Sequence, residues 1–196
     1  LQIFVSSPRG WTKTTITDEQ ITSFKRNCAK FDIEPVFIHG LYLANLATDQ
    51  LELREKSIDA LSHALIVADR IGAQGVIYHT GSRKDQDSQV ALGSVVSAMR
   101  EILARSPGTS QLIVEGSAPQ QGKIGVTFEE IGTLVKRVAS SRVAVCLDTC
   151  HTQQAGYDLS STAAIDTTLT AFDRCIGLDR LVVMHANDIK PPPAAP

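Results

Sequence analysis

The sequence is poor in aromatic residues and cysteine, has no long apolar run and carries no excess of positive charge. Aromatic side chains make up 5% of its 196 residues, the formal net charge is −2, and the isoelectric point lies near 6.2. This charge gives no basic stripe of the kind that marks many nucleic-acid-binding proteins, although bound divalent cations would reverse the sign of a site locally. Because no stretch of eighteen apolar residues is present, we expect no membrane span.

The few cysteines form no C-x-x-C pair and fall inside predicted helices and strands. They are Cys28, Cys146, Cys150 and Cys175. This placement is typical of reduced thiols in an intracellular protein, so we predict four buried, reduced cysteines. With 43% apolar and 20% charged residues, the chain has enough apolar material for the core of one globular domain.

Short apolar runs alternate along the chain with segments of helical periodicity. The runs predict six strands, at 1–6, 35–39, 76–79, 112–115, 143–148 and 181–185. Capping boxes at Thr17 and Thr127 and stop signals at Gly72, Pro107 and Gly177 delimit five intervening helices. Such strict alternation predicts a parallel sheet with helices outside it.

Two α/β architectures have this pattern: an open doubly wound sheet, and a TIM-barrel-type (β/α) repeat that lacks some of its eight units. The turn after the first strand, Ser6 to Trp11, has no G-x-G-x-x-G phosphate-binding sequence, which a doubly wound sheet would typically show. Potential ligand residues at nearly every strand end favour the barrel, because active sites of that fold lie on this rim.

Five of the six strands end on a residue that can bind a metal. These residues are His39, His79, Glu115, Asp148 and His185. A single histidine at a strand end is more often a hydrogen-bonded structural residue, but five such ends on one rim favour a metal site. His151, three residues after Asp148, is placed in the following turn and faces the same rim. His63 lies within a helical segment without such a pattern, and we interpret it as an ordinary helix residue.

The six candidate ligands offer only nitrogen and oxygen donors. Such a set suits Zn²⁺ first, with Mn²⁺ or Fe²⁺ as alternatives, whereas Ca²⁺ and Mg²⁺ prefer oxygen ligands alone. Six ligands exceed the four of a tetrahedral zinc, so more than one metal is implied, with Glu115 suited to bridge. Multinuclear sites of this kind hydrolyse phosphate esters, and no serine or cysteine nucleophile with a paired base is visible.

The stretch from Val145 to Leu159, VCLDTCHTQQAGYDL, resembles the signature of the endonuclease IV family (AP endonuclease family 2), zinc-dependent apurinic/apyrimidinic endonucleases. Further stretches agree with the family in order and spacing: 4–11, 39–46, 54–57, 79–82, Glu115, 172–173, 176–178 and 185–188. The similarity covers essentially the whole chain.

The resemblance implies a TIM barrel with three zinc ions at its rim, which cleaves DNA 5′ to an abasic site in base excision repair and trims blocked 3′ ends. His39, His79 and Glu115 would hold one zinc, Glu115, Asp148 and His185 a second, and His151 would serve the third. Arg9, Tyr42 and Leu43 would push into double-stranded DNA at the lesion, as a cation, an aromatic ring and an aliphatic wedge can. The family also implies a monomer in the cytoplasm, associated with the nucleoid.

Several positions depart from the family pattern. The family continues into a segment that supplies further ligands, whereas this sequence ends in IKPPPAAP. We therefore expect an incomplete chain, truncated at both ends: one domain over 1–190 with six of eight strands in an open barrel, two zinc ions, and a Pro/Ala-rich tail at 191–196. Gly10, Thr80, Arg83 and Gly116 replace usual family residues. Loss of the usual Asn at Gly116 is expected to cost about 10- to 100-fold in metal affinity or activity.

Two alternatives to the endonuclease remain. One is a sugar isomerase or epimerase of the xylose-isomerase-like barrels, which also use His and carboxylate ligands but have no need of Arg9, Tyr42 and Leu43. The other is an inactive zinc-binding remnant. Comparing turnover of a ketose with turnover of an abasic oligonucleotide distinguishes the sugar isomerase from the endonuclease. The zinc content of the purified protein distinguishes the inactive remnant from a working metal centre.

Overall fold

The sheet of this protein is parallel throughout, and its strand order follows the chain. The computed structural model describes residues 1–189, and in it each strand pairs with the next, in the order β1-β2-β3-β4-β5-β6. Every crossover thus advances one position in the same direction, which is the winding of a barrel and not of a doubly wound sheet. The strands are β1 (Gln2–Ile3), β2 (Phe37–His39), β3 (Gly75–Tyr78), β4 (Gln111–Glu115), β5 (Val143–Asp148) and β6 (Leu181–His185).

The helices fall between the strands as the sequence predicts, with one addition. A short helix, α5, follows β5 directly, because the side chain of Asp148 caps it by accepting from the backbone N–H of His151 at 3.0 Å. The helices are α1 (Asp18–Lys30), α2 (Leu51–Ile71), α3 (Ser88–Arg105), α4 (Phe128–Val138), α5 (Thr149–Gln154) and α6 (Thr162–Cys175), with a 3₁₀ turn at Leu178–Arg180.

The predicted helix signals are present in the structure, one of them only in part. Thr17 and Gln20 form a complete capping box at α1, and Gly72 ends α2 in the left-handed conformation, with φ of 77°. At α4, Thr127 accepts from the N–H of Glu130, but the Glu130 carboxylate does not return to Thr127. It accepts instead from Gly125 N and Val126 N, both at 3.0 Å, and so holds the loop before the helix.

Side chains alternate between two faces of the sheet, and this alternation positions the candidate ligands. The outward face, with residues such as Val114 and Val145, packs against the helices as the main core. The inward face carries a smaller apolar cluster that includes Ile113 and Cys146. Since strand side chains repeat every two residues, the inward positions that follow these two are Glu115 and Asp148. The barrel interior is therefore apolar below and polar at its mouth.

The first and last strands approach each other at the open side of the barrel. The side chain of Gln2 on β1 lies 2.8 Å from the ring of His185 on β6, although no backbone pairing joins these two strands in residues 1–189. The expectation of an open (β/α) barrel with six strands is confirmed. The predicted tail at 191–196 lies outside the described residues.

Two details differ from the sequence-based expectations. The first strand is two residues long and not six, because the chain turns away from β2 after Ile3. The four cysteines are free as predicted, but only Cys146 is buried, and the other three are partly exposed on their helices. Within residues 1–189, no helix is long and apolar enough to cross a membrane.

Candidate metal centre

The six predicted ligands line one cavity at the carboxyl ends of the strands. The cavity has a volume of about 540 Å³. Its lining consists of the six ligands together with Gln2, Tyr42, Met184, Ala186 and Asn187. His79 lies one residue after the end of β3, which stops at Tyr78, and His151 lies in the first turn of α5 and not in an open turn. Both corrections leave the side chains at the mouth.

Glu115 is the centre of the cluster, because four imidazoles surround its buried carboxylate. Oε2 lies 3.0 Å from Nε2 of His39 and 3.4 Å from Nε2 of His79. Oε1 lies 3.1 Å from Nδ1 of His185 and 3.6 Å from Nδ1 of His151. Each carboxylate oxygen therefore faces a different pair of rings.

Two groups of three side chains have a geometry that could hold a metal ion, and they share Glu115. In each group the ligand atoms all lie within 4.8 Å of one another. One group is His39, His79 and Glu115, and the other is Glu115, Asp148 and His185. Among the described residues, His151 belongs to neither group, and its ring centroid lies 5.6 Å from that of His79.

The electrostatics of the cluster are those of a carboxylate stabilised by imidazoles. Burial alone would raise the pKa of Glu115, but hydrogen bonds from His185 and His39 and the charge of His79 outweigh burial and hold that pKa well below its usual range. The hydrogen bond to Glu115 raises the pKa of His185, whereas burial lowers the pKa of His79. Glu115 is thus ionised at neutral pH, as a metal ligand must be.

A second layer of contacts holds the rings in place. The Nδ1–H of His39 donates to the carbonyl of Gly40 at 2.8 Å, and the Nδ1–H of His151 donates to the carbonyl of Gly116 at 2.9 Å. Ser117 Oγ lies 3.4 Å from Nδ1 of His79. The carbonyl acceptors fix the tautomers of His39 and His151, so Nε2 is the nitrogen that these two rings leave for a ligand. The Ser117 hydroxyl, which can donate or accept, supports the orientation of His79.

Asp148 is held in the same way. One of its oxygens caps α5, and the other accepts from Nδ2 of Asn187. The carboxylate therefore has a fixed direction before any ligand is bound.

Of the three residues predicted to contact DNA, Tyr42 lines the cavity, whereas Arg9 and Leu43 are not part of its lining. The ring of Tyr42 packs 5.4 Å from that of His39 and 5.7 Å from that of Phe4, and Tyr42 remains 56% exposed. Leu43 is 39% exposed, and Arg9 is exposed on the preceding loop. The backbone N–H of Tyr42 donates to the carbonyl of Pro8 at 2.9 Å, which ties the two loops together.

No role could be assigned to Gln2 from the sequence, although Gln2 reaches His185. The signal that could have found Gln2 is its place on the first strand, since each of the other five predicted strands ends on a candidate ligand at the mouth. Asn187 falls within the quoted stretch 185–188, but its contact with Asp148 is not a spacing that the sequence displays. His63 lies on α2 and belongs to neither group of possible ligands.

Comparisons with known proteins agree with this geometry. A sequence model of the xylose isomerase-like TIM barrel family matches residues 1–196. The probable endonuclease 4 of Halothermothrix orenii is 36% identical over 191 residues, which cover 97% of this chain and 69% of that protein. The probable endonuclease 4 of Geotalea daltonii is 36% identical over 192 residues, with 97% and 67% covered.

Solved structures give the same assignment. Endonuclease IV from Thermus thermophilus superimposes with a TM-score of 0.84 at 34% identity, over 96% of this chain and 66% of that one. A D-tagatose 3-epimerase-like protein has a TM-score of 0.73 over 95% of this chain and 66% of its own, but at 16% identity it supports the fold alone. This chain spans about two thirds of the length of these relatives. It belongs to the endonuclease IV family of xylose isomerase-like TIM barrels.

Proposed function

We propose that this protein is a zinc-dependent endonuclease acting on abasic sites in double-stranded DNA. It hydrolyses the phosphodiester bond 5′ to the lesion, in base excision repair, and trims blocked 3′ ends. The observation that carries this proposal is the pair of ligand groups that share Glu115 at the mouth of an endonuclease IV-type barrel. We further propose, from the family resemblance, that it acts as a monomer on DNA of the nucleoid, in the cytoplasm.

The residues at the mouth fit divalent zinc. His39, His79 and Glu115 would hold one ion, and Glu115, Asp148 and His185 a second, with His151 available to a third. Imidazole nitrogen and carboxylate oxygen are the donors that zinc takes at 2.0–2.2 Å in catalytic sites. When bound, such ions lower the pKa of a water to about 7 and neutralise charge on the phosphate.

The protein itself keeps the carboxylate ligands ionised and correctly oriented before a metal binds. Glu115 stays ionised because its imidazole neighbours hold its pKa low, and Asp148 is aimed by Asn187 and by the first turn of α5. The cavity lining contains no serine, cysteine or lysine among the described residues. A side-chain nucleophile of those types is therefore absent from the lining, which supports water as the attacking group.

Removal of the metal is the direct test of this function. We expect a strong chelator to abolish incision of a duplex oligonucleotide with one abasic site, and added Zn²⁺ to restore it, because both ligand groups are otherwise unable to activate water. The product should carry a 3′-hydroxyl 5′ to the lesion, as seen on a sequencing gel. Incision that persists in the chelator, or turnover of a ketose in place of the oligonucleotide, would contradict the proposal.

The exposed side chains beside the cavity give a separate prediction about lesion recognition. Replacing Tyr42 with Ala should weaken binding to an abasic duplex by about 5- to 140-fold, because stacking of an aromatic ring on a base is worth roughly 1–3 kcal/mol and each 1.4 kcal/mol is tenfold. Replacing Leu43 with Ala should weaken the same binding, because it removes an aliphatic wedge. Binding to an intact duplex should change little.

The control for this prediction is Phe31→Ala, since Phe31 is 63% exposed and ends α1, away from the mouth. Fluorescence anisotropy with both duplexes measures the ratio of the affinity for abasic DNA to the affinity for intact DNA. Equal losses on intact and abasic DNA would show that the two side chains do not read the lesion.

A further inference from the structure

Gln2 is the one side chain of β1 that touches the candidate ligands, and it does so across the open side of the barrel. It lies on the first strand, whereas its partner His185 ends the last strand, 183 residues away. Oε1 of Gln2 is 2.8 Å from Nε2 of His185. Both side chains line the cavity that holds the ligand groups.

This contact fixes which nitrogen of His185 is available. An amide oxygen only accepts hydrogen bonds, so Nε2 of His185 carries the proton that it donates to Gln2. The other nitrogen, Nδ1, also donates, to the Glu115 carboxylate, and its proton is the one that a bound metal ion would replace, because the proton on Nε2 is held by Gln2. Nδ1 lies 3.1 Å from Glu115 and 3.9 Å from Asp148, the two carboxylates of its ligand group.

His185 differs in this respect from the other rings at the mouth. His39 and His79 turn Nε2 toward Glu115, and their Nδ1 atoms are held by Gly40 and Ser117. Gly40 directly follows His39 on the main chain, and Ser117 belongs to the loop after the neighbouring strand β4. His185 lies on the edge strand β6, whose one strand neighbour is β5 in the described sheet. Its outer nitrogen depends on a side chain from the opposite edge.

We infer that Gln2 is a positioning residue that sets the tautomer and ring orientation of His185, so that Nδ1 completes the ligand group with Glu115 and Asp148. This inference rests on the proposed function and assigns Gln2 a role within that same site. A partner in this position is worth about 10- to 100-fold in affinity at other metal sites.

The test compares three variants of the full chain. Gln2→Met keeps the size of the side chain but removes the acceptor, and Gln2→Glu keeps an acceptor oxygen. Gln74→Met is the matched control, because Gln74 is exposed and precedes β3 at the opposite end of the barrel. Zinc affinity is measured by competition with a chromophoric chelator, and the visible spectrum of bound Co²⁺ reports the ligand set.

We expect Gln2→Met to weaken binding of one zinc by about tenfold or more and to change the Co²⁺ spectrum. Gln2→Glu and Gln74→Met should both bind zinc within about threefold of the unmodified protein. The midpoint of thermal unfolding without metal should fall by no more than about 6 °C in Gln2→Met, which loses one hydrogen bond, and should be unchanged in the other two variants. Rescue by Gln2→Glu is the result that a merely structural role would not give.

Two outcomes overturn the inference alone. In the first, Gln2→Met binds zinc as well as Gln74→Met does while the unmodified protein binds zinc and incises abasic DNA. In the second, Gln2→Glu loses as much affinity as Gln2→Met. An unmodified protein that binds no zinc would overturn the proposed function together with this inference.

Discussion

Replacement of Glu115 with Gln is expected to lower the rate of incision of abasic DNA on the order of 10³-fold. The substitution keeps the size of the side chain but removes the charge that both ligand groups share. Each group then has two members in place of three. Charge stabilisation by bound metal is worth several kcal/mol, and each 1.36 kcal/mol is a factor of ten, so a loss of about 4 kcal/mol lowers the rate on the order of 10³-fold.

The measurement is the single-turnover rate of incision together with the zinc content of the dialysed protein. Glu101→Gln is the matched control, because Glu101 lies on α3 and pairs with Arg105 on the helix surface, at 2.6 Å. Circular dichroism in the presence of chelator shows whether both variants fold. If Glu115→Gln incised at the rate of Glu101→Gln with its zinc retained, the shared carboxylate would have no role in the chemistry.

The position of Glu115 could be predicted from sequence, and the reason lies in strand geometry. In a parallel sheet all strands end at one rim, and side chains of one parity face inward. Ile113 and Glu115 on β4, like Cys146 and Asp148 on β5, follow this rule, with the apolar residue below and the ligand at the mouth. Apolar runs that stop on a ligand residue therefore predict both the fold and the site.

The contacts that orient the ligands could not be predicted in this way. The bond between Gln2 and His185 joins the two ends of the sheet, and its existence depends on how far the six strands curl. The α5 helix has six residues, too few for an apolar period to show, and it is set by the cap that Asp148 provides. Glu130 has the spacing of a capping box with Thr127, yet its carboxylate accepts from the two N–H groups of Gly125 and Val126 and not from the one of Thr127.

A second large effect is expected at Gly75, where the backbone of the barrel has no room for a side chain. Gly75 begins β3 and pairs with Gln111 on β4. A methyl group at this position would lie 2.4 Å from the carbonyl oxygen of Gln111 and 2.8 Å from Cδ1 of Ile113. Because one of these neighbours is backbone, it cannot move aside without shifting β4, the strand that ends in Glu115.

We therefore expect Gly75→Ala to destabilise the protein by about 3 kcal/mol, at the upper end of the cost of overpacking a core. This is a large share of the roughly 5–15 kcal/mol that stabilises a folded domain. For a chain of this size it corresponds to a fall of about 6–12 °C in the midpoint of thermal unfolding. Zinc affinity should fall as well, since β3 leads into His79 and β4 ends in Glu115, two members of one ligand group.

The same substitution at Gly93 should have the opposite sign. Gly93 lies within α3, and the nearest atom to an added methyl group is the end of the flexible Arg137 side chain, at 3.6 Å. Alanine in a helix is favoured over glycine by roughly 0.5–1 kcal/mol, so Gly93→Ala should raise the midpoint slightly and leave zinc binding unchanged. Because both variants add one methyl group, the difference between their midpoints of thermal unfolding reports the lack of space for a side chain at Gly75. A midpoint for Gly75→Ala equal to that of Gly93→Ala would mean that β3 and β4 are not held at this spacing, and the ligand groups that depend on it would not be preorganised.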